Sequence, residues 1–209
     1  MGRTGKPLAL RVPAAMRRHP GGTAMHDEQR HERRYDGGVE RLRSPERLAR
    51  LGVERVVARV LDGAEAASAL DVGTGTGVFA QALVVRGLAV TGVDVNPELL
   101  AAARDLVPEA AFREGIAESL PFPDRSFDLV FLGVVLHETD DAVAALREAG
   151  RVARRRVAVL EWPYREDGER PPLAHRLSAE RVRSLAAAAG LGGVEIVPLD
   201  RVDLYLMTP

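Results

Sequence analysis

From residue 44 to residue 209 the chain alternates between two spacings of apolar residues. Short runs of β-branched and apolar residues read as strands, and between them apolar residues recur at helical intervals. Ala69-Leu-Asp-Val72 and Ala89–Val95 read as the first two strands, and a third is predicted near Ala110–Gly115. The run from Phe127 to Leu136 is apolar almost throughout, as a strand buried on both faces should be. A fifth strand is predicted over Arg155–Trp162, and Val194–Asp200 with Arg201–Met207 reads as a closing hairpin.

Helix signals fall between these runs. Ser44-Pro-Glu-Arg-Leu supplies an N-cap serine, a proline at the first helical position and an acidic residue near the positive end. Gly52 breaks this helix, and a second runs to Leu61 before Asp62-Gly63. Thr76–Arg86 is predicted helical and closed by Gly87. Asn96-Pro97-Glu98 opens another helix, Asp140–Ala149 forms the next, and Ser178 begins a last one that Gly190 ends. A polar, proline-containing loop joins the fifth strand to Leu177. Such alternation predicts an α/β domain, with a mostly parallel sheet and helices on both faces. A ligand then binds at the carboxyl ends of the strands, at the switch between strands one and four.

The candidate chemistry lies at that switch. Ala69-Leu-Asp-Val-Gly-Thr-Gly-Thr-Gly77 is a strand running into a glycine turn, and Asp94 ends the second strand. Glycines let backbone approach a ligand, and a carboxylate at this place takes ribose hydroxyls. Dinucleotide turns follow G-x-G-x-x-G. Here Gly73, Gly75 and Gly77 follow G-x-G-x-G and Val78 replaces the third dinucleotide glycine, which argues against a cradled pyrophosphate and a nicotinamide-dependent oxidoreductase. The plain structural readings are a tight turn for the glycines and a helix cap for Asp94, although Asn96 suits the cap better.

Leu70–Gly77, Gly92-Val-Asp94 and Leu120-Pro-Phe-Pro-Asp-Arg-Ser-Phe-Asp128 together resemble the class I S-adenosylmethionine-dependent methyltransferases, in particular the small-molecule type of quinone biosynthesis. The resemblance runs from about Ser44 to the end. It implies a Rossmann-like methyltransferase fold with a seven-stranded sheet and a terminal antiparallel hairpin. S-adenosylmethionine is the implied cofactor and a small molecule the implied methyl acceptor. Asp71 would help hold the cofactor's amino group, directly or through water. Thr74, Gly77, Val95 and Gly133 fall with Gly73, Gly75 and Asp94 in the implied pocket. Where the family has Gly-Asp-Ala, this chain has Gly115-Ile116-Ala117. Ile116 would offer the adenine an apolar wall, Ala117 its amide, and Glu118 a compensating polar group.

Methyl transfer from a sulfonium is an in-line displacement, in which positioning and a dry site matter most. His137, after the fourth strand, is the candidate base because its pKa lies near neutrality. It reads equally as a structural histidine closing the strand. Trp162 and Tyr164 end the fifth strand, and His175 lies in the loop beyond it. These three are candidates for walling the acceptor, with ordinary packing as the plainer reading for Trp162 and Tyr164. The resemblance also implies that His31, Arg34 and Tyr35 belong to an N-terminal arm over the pocket. A second functional class, a methyltransferase-fold binding protein without catalysis, remains open.

Composition narrows the partners. Of 29 basic and 30 acidic residues, five basic ones fall in residues 1–26, leaving 24 against 30, a balance of −6. An acidic body argues against nucleic acid. The absence of an asparagine-proline-proline-tyrosine motif points the same way. The chain has no cysteine, no apolar run near the length of a membrane span and no metal-ligand spacing. A cytoplasmic protein that needs no metal is expected, and a homodimer is compatible with it. Residues 1–26 are acid-free and read as a disordered basic tail, or as the product of an early start codon with Met25 the true start. Residues 27–209 read as the methyltransferase domain with its helical arm.

Overall fold

A computed structural model of the protein describes residues 38–169 and 171–209. The readings for residues 1–26 and for His31, Arg34 and Tyr35 lie outside the described residues.

The chain enters through three short helices, α1 (Val39–Leu42), α2 (Pro45–Leu51) and α3 (Val53–Leu61). The alternating part follows as β1 (Ser68–Val72), α4 (Val78–Val85), β2 (Ala89–Asp94), α5 (Pro97–Leu106) and β3 (Ala111–Glu114). Then come β4 (Phe127–Gly133), α6 (Ala142–Val152), β5 (Ala153–Glu161), α7 (Ala179–Ala189), β6 (Gly192–Pro198) and β7 (Asp203–Thr208). The seven strands form one sheet in the order β3-β2-β1-β4-β5-β7-β6. The first five pair in parallel, and β7 inserts antiparallel between β5 and β6. The order reverses between β1 and β4, and that places the carboxyl ends of both strands at the ligand position expected of such sheets.

Side chains alternate across the sheet, so each strand feeds two cores. Leu70, Val130 and Leu132 pack with Leu146 and Ala149 of α6 and Val182 and Leu185 of α7. On the other face Ala69, Leu129 and Phe131 pack with Val56 and Val60 of α3 and Phe79 and Leu83 of α4. This two-sided burial explains the nearly unbroken apolar run of β4.

Helix ends follow local chemistry. The Ser44 hydroxyl accepts from Arg47 N at 3.2 Å, and Gly52 turns left-handed at φ 58° between α2 and α3. The Asn96 Oδ1 accepts from Glu98 N at 2.9 Å and Leu99 N at 3.3 Å. Asn96→Ala should therefore cost about 1 kcal/mol, read as a fall of about 2–4 °C in the thermal midpoint. An unchanged midpoint would show that this cap is not needed.

Of the predicted boundaries that move, three have a local cause. α4 begins at Val78 rather than Thr76, because Gly75 (φ 55°) and Gly77 (φ 77°) both lie in the left-handed region, which a right-handed helix cannot include. β4 stops at Gly133 rather than Leu136, because Val134 takes φ 60° and swings the chain into a single 3-10 turn over Leu136–Glu138. α6 begins at Ala142 rather than Asp140, with the Asp141 side chain accepting from Val143 N and Ala144 N at 3.0 Å each. Among the described residues no helix is long and apolar enough to cross a membrane.

Candidate functional site

The loop after β1 is folded by three left-handed glycines, Gly73, Gly75 and Gly77. Its floor is Asp71, a buried carboxylate. One oxygen, Oδ2, accepts both from the Thr74 hydroxyl at 2.7 Å and from Ala80 N at 3.1 Å. Burial pushes the Asp71 carboxyl up to about 7, against these two hydrogen bonds, which favour its charged form. Asp71 thus fastens the glycine loop to the first turn of α4.

Asp94 closes the site from β2. Its Oδ2 accepts from Gly75 N at 2.8 Å and its Oδ1 from Asn96 N at 2.9 Å. Burial raises its pKa, opposed by the backbone N–H groups of Asn96, Gly75 and Val95. Because Asn96 caps α5, the Asp94 carboxylate is left to face the space above the loop.

That space is a cleft along the carboxyl ends of β1, β2 and β4. The glycine loop contributes Val72, Gly73 and Gly75, and the β2 end contributes Asp94, Val95, Asn96 and Leu99. Gly115, Ala117 and Glu118 line it after β3, and Gly133, Val134, Val135, Glu138, Thr139 and Asp140 after β4. Leu42 and Arg47 of the N-terminal helices close the top. Four carboxylate residues, Asp94, Glu118, Glu138 and Asp140, therefore face one guanidinium, Arg47. Glu118 also braces the wall, with Oε1 accepting from Asp140 N at 2.9 Å. Among the described residues no group of side chains is arranged to hold a metal ion.

The structure brings together Gly73, Gly75, Asp94, Val95, Ala117 and Gly133 of the predicted residues. Asp71, Thr74 and Gly77 do not line the cleft. Asp71 and Thr74 lie buried under the loop, where Thr74 N donates to Val93 O at 2.9 Å, and a Cβ on Gly77 would meet Phe112, Val107 and Ala103. The expectation for Ile116 needs correcting. Its side chain stands 43% exposed and does not line the cleft, where Gly115 and Ala117 form that wall.

The acceptor-side expectations change more. Trp162 is buried in the core that packs on α3 and α4, with the Arg50 guanidinium 4.5 Å and that of Arg47 5.7 Å from its ring centre. It is packing with a cationic cover, and Arg47 occupies the cleft wall in its place. Tyr164, 53% exposed, and His175, in a 3-10 turn over Leu173–His175, both lie away from the cleft.

The loop that carries them is organised by Arg176. Its buried guanidinium donates to the carbonyls of Pro163, Arg165, Glu169 and Pro171 at 2.8–3.1 Å, and to both carboxylate oxygens of Asp167 at 2.6 and 2.9 Å. Arg176→Ala removes every one of these bonds. Limited trypsin digestion should then cut at Arg165 at least about tenfold faster, by local opening. Equal cutting in both proteins would mean that the loop is held by something else.

His137 is likewise buried, behind the cleft wall. Its backbone N donates to Glu161 Oε1 at 3.2 Å, and its Nδ1 lies 2.7 Å from Glu161 Oε2. Burial works against the charged ring, but the charge and hydrogen bond of Glu161, with Glu138 beyond, outweigh it and raise the His137 pKa. The expected base does not itself reach the cleft; its neighbour Glu138 does. Leu42, Arg47 and Glu138 are among the cleft residues that were missed, and of these three only Glu138, next to His137, carried a signal in the sequence.

Residues 70–160 match the family model described as a methyltransferase domain. The demethylmenaquinone methyltransferase of Chlorobaculum tepidum is 40% identical over 116 residues, covering 51% of this chain and 48% of that protein. The chain thus spans about half the length of the curated relatives it matches. A solved SAM-dependent methyltransferase from Aquifex aeolicus is 25% identical, with a TM-score of 0.72, over 80% of this chain and 95% of its own. The solved [4+2]-cyclase SpnF is 29% identical, with a TM-score of 0.61, over 74% of this chain and 62% of its own.

Proposed function

We propose that the chain is a methyltransferase of the class I S-adenosylmethionine-dependent type, which transfers a methyl group from S-adenosylmethionine to a small-molecule acceptor. The observation that carries the reading is the charge of the cleft. Four carboxylate residues and one guanidinium suit a ligand whose reactive centre is a cation, and they repel the two phosphates of a dinucleotide.

The residues present fit that cofactor by the chemistry of their donors and acceptors. Asp94 offers carboxylate oxygens to two adjacent ribose hydroxyls while its backbone bonds hold it in place. Gly73 and Gly75 keep side chains out of the floor, and Ala117 offers its amide to an adenine ring nitrogen. Glu118 accepts the exocyclic amine. Val72, Val134, Val135 and Leu42 exclude water from the region where the acceptor enters. When bound, S-adenosylmethionine supplies an electrophilic methyl on sulfur, and the chain's task is to align an acceptor in line with that bond.

The name of the Chlorobaculum relative makes demethylmenaquinone, supplied in its reduced hydroquinone form so that it is a nucleophile, the first acceptor to try. Calorimetric titration with S-adenosylmethionine, S-adenosylhomocysteine and NAD tests the cofactor. Micromolar binding of the first two without the third supports the reading, and binding of NAD alone sinks it. Tight binding with no methyl transfer to any acceptor would leave a non-transferase role on this fold, which the cyclase relative shows to be compatible with other chemistry.

A further inference from the structure

The helix α2 carries part of the cleft's roof and is pinned at both ends. Just before its first residue, Arg43 Nη2 donates to Thr76 O at 2.7 Å and Arg43 Nη1 to Gln81 Oε1 at 3.0 Å. These bonds tie that end to the glycine loop and α4. At the far end, Arg50 Nη1 donates to Glu169 Oε2 at 2.9 Å, in the loop after β5. Between the two pins stands Arg47, which lines the cleft. Arg47 and Arg50 are i and i+3 on α2, so they share a face. Both guanidiniums lie over the ring of Trp162, at 5.7 and 4.5 Å from its centre. Two cations over one indole repel each other, and Glu169 offsets that repulsion by neutralising Arg50.

Glu169 is itself fixed. Its N donates to Asp167 Oδ1 at 3.0 Å, and its O accepts from Arg176 Nη2 at 2.9 Å. The buried Arg176 centre thus holds the backbone of Glu169, the Glu169 carboxylate holds Arg50, and Arg50 with the indole restricts Arg47 to the cleft side. The Arg50–Glu169 pair is partly exposed, at 24% and 49% of the two side chains, and an ion pair in that setting adds little to folding. Its effect falls on where the guanidiniums stand.

We propose that Glu169, Arg50 and Trp162 are positioning residues, which hold Arg47 ready for the carboxylate of the cofactor's amino-acid tail, so that the loop after β5 sets cofactor affinity from outside the cleft. The inference rests on the methyl-transfer reading. S-adenosylmethionine carries one carboxylate. Among the described residues Arg47 is the one guanidinium lining the cleft, against the carboxylates of Asp94, Glu118, Glu138 and Asp140. Those four repel an anionic group, so Arg47 marks the place where one is accepted. Its planar fork of donors suits a carboxylate. A long side chain that must be ordered when the ligand arrives lowers affinity, and ordering it beforehand is worth about two- to tenfold. If the two arginines merely cover a buried indole, their loss affects stability and does not distinguish one ligand from another.

The test is calorimetric titration of the full chain with S-adenosylhomocysteine and with S-adenosyl-3-thiopropylamine, which is the same molecule without its carboxylate. Wild type should bind the first about 30-fold more tightly. Arg47→Ala should weaken the first about 30-fold and the second by less than about twofold, and the binding retained for the second shows that variant to be folded. Glu169→Gln changes a half-exposed side chain well away from the cleft. It should weaken the first about fivefold and leave the second within about 1.5-fold. In an Arg47→Ala background Glu169→Gln should add nothing, because a positioning residue acts only through the group it positions. Equal affinity of wild type for both ligands, equal weakening of both by Arg47→Ala, unchanged binding by Glu169→Gln, or a fivefold loss that persists in the double variant overturns the proposal. Failure of wild type to bind either ligand overturns the methyl-transfer reading, and the proposal with it.

Discussion

Asp94→Ala should weaken S-adenosylhomocysteine binding by at least about 100-fold. Each hydrogen bond to a charged group contributes about 1.5–3 kcal/mol, and two ribose hydroxyls lost together exceed the 2.7 kcal/mol that a 100-fold change represents. The substitution also frees two backbone donors. Gly75 N and Asn96 N lose their acceptors, so the glycine loop and the start of α5 are no longer tied to each other. Asp94→Asn keeps a carbonyl for one backbone donor but loses the charge, and should fall between, near tenfold. Isothermal calorimetry with both variants decides it, with thermal unfolding as the check that they remain folded. Binding by Asp94→Ala within threefold of wild type would remove Asp94 from the cofactor site.

Gly73→Ala should be the most damaging single-methyl change in the loop. Gly73 has φ 67°, and a Cβ there would lie 2.4 Å from Val135 Cγ2 and 2.7 Å from Val135 Cβ. The left-handed backbone costs an alanine about 1–2 kcal/mol, and forcing apart two packed groups costs about 1–3 kcal/mol more. Val135 cannot yield cheaply, because it follows the strained Val134 and packs against the core between β4 and α6. The thermal midpoint should fall by about 10 °C. Gly87→Ala isolates the backbone contribution, since Gly87 has φ 87° but nothing within 4 Å of the added methyl. It should cost about 1–2 kcal/mol. If both variants unfold at the same temperature, the close approach of Val135 carries no energy.

The two substitutions also mark what was legible in the sequence. Gly73, Gly75 and Asp94 were found because their geometry is local. A left-handed turn needs glycine, and a carboxylate at a strand's end needs only the strand before it. The mostly parallel sheet followed from alternation, and the closing hairpin from the apolar runs over 194–207, while the full strand order is seen only in the fold. Residues whose role depends on distant packing were not legible. Trp162 was open to an acceptor wall or to ordinary packing because it follows β5, and it packs in the core under guanidiniums from α2, more than a hundred residues earlier, which no local pattern announces. Arg47 and Leu42 had no motif to mark them, since a helix laid over the cleft is specified by its docking. Ile116 was assigned to the adenine wall by position in a motif, yet it is 43% exposed and its neighbours Gly115 and Ala117 line the cleft. His137 was read as a base or as a structural histidine, and the fold buries it on Glu161 because Val134 interrupts the strand, which β-branched chemistry does not announce.

The guanidinium cover on Trp162 has an optical consequence. Trp162 is the chain's single tryptophan, and Arg47 lies both over its ring and on the cleft wall. An excited indole shifts charge across its rings and responds to a cation beside it. Any ligand that draws Arg47 toward the cleft therefore changes the emission of one known fluorophore, and the native protein reports occupancy of its site in its own light, without a label.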